Sequence, residues 1–281
     1  MPTTPPAYLL DRDLSRAALQ KHIDVADPLL TEVVNYGVAA LRRCMETLKH
    51  DGHNLGILLP LRHLLEMVDG VHVQLLAGAP SPARILLRSA FEALVSIEYM
   101  LKDDTERRAY AYLAGWAQRE VAKCRALRKY AQAVEKAAEL DERIATLERQ
   151  LGHPGWKEAS DALKALKKQH VKPEWYKLYG GPAHLADLAA QVGYAAEYDV
   201  LYREWSGPAH ASDLSRQIIT GRGTVAFRGL RDPEMFNNVI SFAVNFAVKG
   251  TRAVLLHYRP EEERAWAAWY VREVRDPLKR F

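Results

Sequence analysis

Apolar residues three and four positions apart recur along most of this chain, and they limit it to helical folds. The runs Leu29–Lys49, Asn54–Leu76, Ala83–Lys102 and Glu234–Tyr258 all have this spacing, which is typical of amphipathic helices. Asp27-Pro28, Ser81-Pro82 and Asp232-Pro233 place a capping side chain before a proline, as helix starts often do. The sequence therefore predicts an all-α bundle of about eight to ten helices.

One segment departs from the helical pattern. Residues 221–229, Gly-Arg-Gly-Thr-Val-Ala-Phe-Arg-Gly, are rich in glycine and arginine, and they predict a loop or a short hairpin.

The composition is that of a globular protein with a substantial core. Hydrophobic residues make up 48% and charged residues 26% of the 281 residues, and the net charge of +4 permits a nucleic acid partner without requiring one. Two cysteines, Cys44 and Cys124, offer no disulfide framework, and the N-terminus lacks a signal-peptide pattern. We therefore expect a cytoplasmic protein. Polar residues interrupt the most apolar run, Val239–Tyr258, so we expect a buried helix rather than a membrane partner.

We expect residues 1–281 to form a single helical domain in which residues 103–178 are a long-helix arm or a hairpin insertion. Asp103 and Glu106 have the spacing of a capping box, and an apolar seam with charges on its flanks follows them. A lysine-rich amphipathic helix comes next. Its lysines are interpreted as a solvated face rather than as a phosphate-binding rim.

The most informative stretch for function is 198–213, where a helix carrying Tyr202 is expected to end at Gly207-Pro208. Ser206 lies before this break, and His210 would lie in the first turn of the next helix. The positive end of a helix dipole attracts anions and disfavours a charged imidazole, so His210 would stay neutral and available as a base. Alternatively, Ser206 and His210 are only capping and packing residues.

A second set of polar residues lies on one helix. Arg84, Arg88, Glu92 and Ser96 are four apart in an otherwise apolar run. Arginine before glutamate is the less favourable order for a pair four apart, which argues against a purely stabilising role. The stripe predicts either a cleft or a solvated face, and the sequence leaves both open. Arg62-x-x-x-Glu66 repeats the pattern in the preceding helix.

Metal binding is the less favoured interpretation. His184-x-x-Asp187 and His210-x-x-Asp213 could each offer two ligands, but plain helix capping explains such pairs more often. We expect neither a metal site nor a cofactor.

Arg203 and His210, with six residues between them, resemble the signature of the HEPN superfamily of all-helical domains, many of which are metal-independent ribonucleases in toxin and antiphage systems. The resemblance implies that His210 takes the proton from a ribose 2′-hydroxyl and that Arg203 stabilises the phosphorane. It also implies that both face their symmetry mates across a dimer.

A second resemblance covers more of the chain. Leu86-Leu-Arg-Ser-Ala-Phe-Glu92 and the later Ser206-Gly-Pro-Ala-His210-Ala-Ser212 are similar to an uncharacterised bacterial all-helical family, most specifically over 55–115 and 195–215. This resemblance implies a pocket that brings Arg88 and Glu92 together with Tyr202, Ser206 and His210.

Two functional hypotheses follow, and the sequence does not decide whether the protein is an enzyme. One is a HEPN-like ribonuclease with His210 and Arg203 as catalytic residues and RNA as partner. The other is a non-catalytic sensor or binding protein that holds a small anionic or polar ligand in a pocket of Arg88, Glu92, Tyr202 and His210, with Ser206 as a further binding residue. Either would form a homodimer through its long helices.

Overall fold

The structure is a computed structural model and describes residues 16–46, 52–132, 134–202, 205, 218–221, 224–227, 231 and 235–279. The predicted all-α class is confirmed. The long helices are α1 Gln20–Glu46, α2 His53–Leu76, α3 Pro80–Lys102, α4 Thr105–Arg128, α5 Val134–Leu151, α6 Pro154–Lys168 and, near the C-terminus, Phe236–Tyr258.

Shorter elements follow α6. They are a 3₁₀-helix Trp175–Gly180, α7 Leu185–Gln191, α8 Ala195–Glu197, a π-helical turn Tyr198–Tyr202, β1 Ile218–Gly221 and β2 Thr224–Phe227. The long helix Phe236–Tyr258 is α9. After it come a 3₁₀-helix Pro260–Glu262, α10 Glu263–Trp269, a π-helical segment Tyr270–Arg275 and α11 Asp276–Leu278.

The chain divides into two compact units by its own contacts. Unit 1 comprises Met1–Thr47, Leu61–Leu94 and Ala196–Phe281, and unit 2 comprises Leu48–Pro60 and Val95–Ala195. The boundaries fall inside α2, α3 and α8. That residues 1–281 form a single domain stays a prediction.

In unit 1, α1 and α9 pack along each other. Gly37 lets α1 approach both α9 and α2, because an added Cβ would lie 3.1 Å from Thr251 Oγ1 of α9 and 2.4 Å from the Leu65 side chain of α2. The C-terminal segment also packs on α1. The rings of Tyr36 and Trp269 stack with centroids 3.7 Å apart, and the Trp269 indole N–H donates to Glu32 at 2.7 Å.

Two predicted helix starts differ from the structure. Helix α3 begins at Pro80, two residues before the predicted Pro82, which stays in the first turn, where proline is tolerated. Helix α1 begins at Gln20 and runs through Pro28. An interior proline costs a helix about 3 kcal/mol. Burial of Ile23 and Ala26, on the turns before Pro28, offsets that cost. Local capping preference is therefore overridden by packing.

Helix α9 confirms the prediction of a largely buried helix at Val239–Tyr258. In the described residues one helix, Phe236–Tyr258, is long and apolar enough to cross a membrane by length and composition, and 61% of its most apolar window is buried. Its apolar side chains form part of the core of unit 1.

In unit 2, residues 103–178 fold back on themselves: α4 packs against both α5 and α6. Ala117 and Val121 of α4 form a small core with Leu147 of α5. The predicted capping box is wrong, because Asp104 precedes α4 in a left-handed conformation and makes no side-chain cap. A helical hairpin is present in this region, and its role as a projecting arm stays a prediction.

The lysines of α6 form a solvated face, as predicted. Lys157 and Lys164 are exposed, and both pair with Asp161, at 2.6 and 3.2 Å. A carboxylate between two lysines reduces the attraction of this face for phosphate.

The glycine- and arginine-rich segment forms a hairpin. Strands β1 and β2 pair antiparallel, with Ile218 opposite Phe227 and Thr220 opposite Val225. The structure therefore selects the hairpin over the loop, and the hairpin begins three residues before the predicted segment.

Candidate functional site

Helix α3 carries Arg88 and Glu92 on the same face. Leu87 and Phe91, the residues immediately before each of them, are 0% and 1% exposed and belong to the core of unit 1. Residues four apart share a helix face, which brings the guanidinium and the carboxylate together. Arg88 is 23% and Glu92 is 45% exposed, so the pair is accessible from solvent without being a free surface pair.

Tyr202 reaches this pair from a distant part of the chain. It ends the π-helical turn Tyr198–Tyr202, and its ring stacks on that of Tyr198 with centroids 4.8 Å apart. Phe91 borders the ring at 6.0 Å. A π-helical turn widens the helix by one residue and is common at functional positions, so it changes the direction in which Tyr202 projects.

Three hydrogen bonds connect Arg88, Glu92 and Tyr202. Arg88 Nη2 donates to the Tyr202 hydroxyl oxygen at 2.8 Å, and the Tyr202 hydroxyl donates to Glu92 Oε1, also at 2.8 Å. Arg88 Nε donates to Glu92 Oε1 at 3.4 Å. The Arg88 guanidinium carbon also lies 4.6 Å from the centre of the Tyr202 ring, within range of a cation–π interaction. We call this group the Arg88 cluster.

The cluster keeps Tyr202 neutral. Burial raises the pKa of Tyr202 well above its usual value, and the neighbouring Glu92 carboxylate raises it further, while Arg88 opposes the effect. The pKa of Arg88 is raised too: burial alone would lower it, but the bond to Tyr202 and the charge of Glu92 more than compensate. The arrangement is therefore a charged arginine, fixed by a neutral phenol and a carboxylate.

Arg88 retains donors that its protein partners do not use. A guanidinium has five N–H groups. The contacts to Glu92 and Tyr202 use Nε–H and one N–H of Nη2, and the part of the chain that the structure describes supplies no further acceptor. A planar, permanently charged fork with free donors is suited to a carboxylate or a phosphate.

The similar pair on α2 has a different environment. Arg62 Nη1 lies 3.0 Å from Glu66 Oε2, but the two side chains are 64% and 53% exposed. This pair is an ordinary solvated i,i+4 pair. The same four-residue spacing thus gives a surface pair on α2 and a partly enclosed cluster on α3.

The first residue of the polar stripe has a structural role. Arg84 is 6% exposed, and its Nη2 donates to Ser81 Oγ at 2.9 Å while its Nε donates to the Ser81 carbonyl. It therefore holds the first turn of α3 together. The stripe is not a solvated face.

Three predicted site residues, Arg203, Ser206 and His210, lie outside the described residues. The structure therefore brings together Arg88, Glu92 and Tyr202 and leaves the proposed catalytic pair untested. It does describe Trp205, whose side chain is 1% exposed and contacts Phe242 and Phe246.

Trp205 is the residue near the site that sequence reasoning missed. Its buried indole N–H has no hydrogen-bond partner among the described residues. A tryptophan three residues after Tyr202 is the signal that could have identified this anchor, because residues three apart on a helix share a face.

Asp187 caps the start of α7, the role that the sequence favoured for this residue. The backbone N–H of His184, the residue before α7, donates to Asp187 Oδ2 at 3.1 Å. Within the described ranges no group of three His, Cys, Asp or Glu side chains could hold a metal ion. The second pair, His210 and Asp213, lies outside the described residues.

A small cavity of about 220 Å³ lies in unit 2 and contains none of the predicted site residues. At its wall the Arg107 guanidinium lies 3.6 Å from the centre of the Tyr179 ring and 2.6 Å from Glu158 Oε1. Arg107 also pairs with Asp104 at 3.8 Å, so it faces two carboxylates, whereas Arg88 pairs with one.

Comparison with curated proteins and with solved structures finds no match. The model of a family of unknown function, DUF5677, matches residues 56–222, more than half of the chain. This range includes both stretches that resemble an uncharacterised helical family, and that prediction is confirmed. The resemblance to the HEPN superfamily stays a prediction. The chain belongs to DUF5677, a family of unknown function.

Proposed function

We propose that this protein binds a small anionic or polar ligand at the Arg88 cluster. The observation that carries the proposal is that Arg88 is held in place by Glu92 and Tyr202 while part of its guanidinium remains unused and reachable from solvent. A side chain that is already ordered loses little entropy when a ligand binds, so it is a better anchor than a mobile surface arginine.

In this proposal each member of the cluster has a separate task. Arg88 contacts the anionic group of the ligand. Tyr202 and Glu92 are positioning residues, since they fix the plane of the guanidinium. Ser206 and His210, which follow Tyr202 closely in the sequence, would supply further polar contacts to the ligand.

The proposal is tested by thermal unfolding with and without added anions. Inorganic phosphate and acetate are the probes, and the proteins are the wild type, Arg88→Ala and the matched control Arg62→Ala. A ligand at about ten times its dissociation constant stabilises by about 1.4 kcal/mol, which raises the midpoint by about 2 to 4 °C. We expect this rise in the wild type and in Arg62→Ala only. An equal rise in all three proteins would contradict the proposal.

A second candidate function is metal-independent RNA cleavage. The observation that favours it is the π-helical turn Tyr198–Tyr202, which ends one residue before Arg203 and is anchored by Arg88 through Tyr202. In this candidate His210 takes the proton of a ribose 2′-hydroxyl as the oxygen attacks the adjacent phosphate. Arg203 stabilises the negative charge that develops on the phosphorane.

Incubation with total RNA in EDTA tests the second candidate. If the wild type leaves 2′,3′-cyclic phosphate ends while His210→Ala and Arg203→Ala leave the RNA intact, cleavage is supported. Intact RNA in every reaction would exclude it and would leave the ligand-binding proposal untouched. Equal cleavage by all three proteins would identify a contaminating nuclease.

A further inference from the structure

Helices α2 and α3 bring a histidine and a serine into contact within unit 1. His63 Nε2 lies 2.9 Å from Ser89 Oγ, although the two residues are 26 positions apart in the chain. Both side chains have intermediate exposure, so solvent reaches the pair. We call this pair the His63–Ser89 dyad.

The close approach of the two helices fixes the dyad. An added Cβ at Gly70 of α2 would lie 2.9 Å from Leu86 Cδ1 of α3, so the helices are near each other there. His63 lies seven residues, or about two turns, before Gly70, and Ser89 lies three residues after Leu86. Side chains placed by helices are held more precisely than side chains on loops.

A serine hydroxyl bonded to an imidazole is the pairing that makes serine a nucleophile. The hydroxyl is weakly nucleophilic by itself, and an imidazole about 2.6 to 3.2 Å away takes its proton as the oxygen attacks. The observed distance of 2.9 Å lies in this range. The role requires the tautomer with the proton on Nδ1, which leaves Nε2 as the acceptor.

The turn of α3 that carries Ser89 also carries the Arg88 cluster. Ser89 and Glu92 are three apart, and side chains with this spacing are neighbours on a helix surface, with Cβ atoms about 5 to 6 Å apart. Glu92 in turn accepts a hydrogen bond from Arg88 Nε at 3.4 Å. A molecule whose anionic end contacts Arg88 can therefore extend along this turn to Ser89.

We propose that the His63–Ser89 dyad hydrolyses a carboxylic ester whose acyl part carries an anionic group, with Ser89 as the nucleophile and His63 as the general base. The anionic character of the substrate rests on the ligand site proposed at Arg88. The dyad itself rests on its own geometry.

The reaction has two halves. In the first, Ser89 Oγ bonds to the carbonyl carbon while His63 Nε2 takes the hydroxyl proton; the ester C–O bond then breaks, and the leaving alkoxide takes that proton. In the second, water attacks the acyl group on Ser89 and gives a proton to Nε2. The bond from the acyl carbon to Oγ then breaks, Oγ regains the proton, and the carboxylic acid is released.

Covalent labelling tests the nucleophile. The full chain is treated with a fluorophosphonate, which loses fluoride when a serine oxygen bonds to its phosphorus, and the labelled peptide is identified by mass spectrometry. We expect the label on Ser89 in the wild type and in Ser96→Ala, a control on the same helix with the same intermediate exposure. His63→Gln, whose amide still offers Ser89 a hydrogen bond but takes no proton, should not be labelled.

Hydrolysis of two esters tests the substrate class. p-Nitrophenyl acetate is neutral, and mono-p-nitrophenyl glutarate carries a carboxylate. Ser89→Ala and His63→Gln should lower kcat/KM for both esters by about a hundredfold or more, as loss of a general base does. Arg88→Ala should lower it about tenfold for the glutarate ester alone, and Arg62→Ala should change neither.

Failure of the dyad and failure of the ligand site give different results. An unlabelled Ser89 in the wild type would overturn the dyad, and so would equal hydrolysis by the wild type and Ser89→Ala when both unfold at the same temperature. Phosphate binding that depends on Arg88 would then still support the ligand site. Hydrolysis that requires Ser89 but is unaffected in Arg88→Ala for both esters would overturn the anionic substrate and the ligand site together, and would support the dyad.

Discussion

The hydroxyl of Tyr202 donates a hydrogen bond to Glu92 Oε1 at 2.8 Å, joining residues 110 positions apart in the chain. This bond and the one from Arg88 to the same hydroxyl attach Tyr202 to helix α3. In the sequence Tyr202 immediately precedes Arg203, the first of the two predicted catalytic residues.

Removing the Tyr202 hydroxyl tests this attachment. Tyr202→Phe keeps the ring against Phe91 but leaves Arg88 and Glu92 without their shared partner. We expect a loss of about 1 kcal/mol in the free energy of unfolding, the usual effect of one hydrogen bond. Urea denaturation measures it. Tyr130→Phe is the control, since Tyr130 is 82% exposed, and it should change stability by less than about 0.5 kcal/mol. Equal effects would contradict the attachment.

The two Arg-x-x-x-Glu pairs predict different costs for the same substitution. Arg62→Ala removes an exposed pair, and such pairs contribute about 0.3 to 0.5 kcal/mol. Arg88→Ala removes three contacts and leaves Glu92 and Tyr202 partly enclosed, so it should cost about 1 to 3 kcal/mol. Chemical denaturation of the two variants compares them directly. A smaller loss for Arg88→Ala than for Arg62→Ala would contradict the structure.

The raised pKa of Tyr202 predicts that the protein loses folding stability at alkaline pH. Its pKa is raised in the folded protein, whereas an unfolded tyrosine loses its proton near pH 10. The contribution of Tyr202 to the free energy of unfolding is therefore complete below about pH 10, and it is lost as pH rises from there towards the folded pKa. The wild type should lose more stability than Tyr202→Phe between about pH 9 and about pH 11, measured by urea unfolding at each pH. Parallel losses would show that Tyr202 is not the group responsible.

Two adjacent glycines in unit 2, Gly180 and Gly181, should lose unequal amounts of stability when each is replaced by alanine, and this difference tests the fold there. A Cβ at Gly181 would lie 1.9 Å from the Tyr176 carbonyl oxygen, a backbone atom that cannot move aside alone. Gly181→Ala should therefore cost about 3 kcal/mol or more.

Gly180→Ala is the matched control. Gly180 has φ of 73° but nothing within 4 Å of the added Cβ, so only the left-handed strain of about 1 kcal/mol applies. Thermal or urea unfolding of both variants measures the difference. A larger cost at Gly180 would show that the chain around Tyr176 differs from the structure.

The sequence predicted the Arg88 cluster in part because helical spacing is a local property. Arg88 and Glu92 share a face whenever α3 forms, and apolar neighbours predicted that α3 would be buried. The link to Tyr202 came from a resemblance to a family, since no local pattern states which distant residue meets a helix.

Other features depended on tertiary packing and were not predictable. Helix α1 begins before Pro28, because burial of its first turns offsets the cost of an interior proline. The Arg88–Glu92 pair is also less exposed than the Arg62–Glu66 pair, although both have the same spacing in the sequence. The π-helical turn lacks a spacing rule that would have revealed it.

The most direct test of the central claim is calorimetric titration of inorganic phosphate into the wild type, Arg88→Ala and Arg62→Ala. The account predicts that the wild type and Arg62→Ala bind phosphate with the same dissociation constant. Arg88→Ala should bind at least tenfold more weakly, since a charged hydrogen bond contributes about 1.5 to 3 kcal/mol. Equal binding by all three proteins, or weakening by Arg62→Ala alone, would contradict the assignment of Arg88 as the anion anchor.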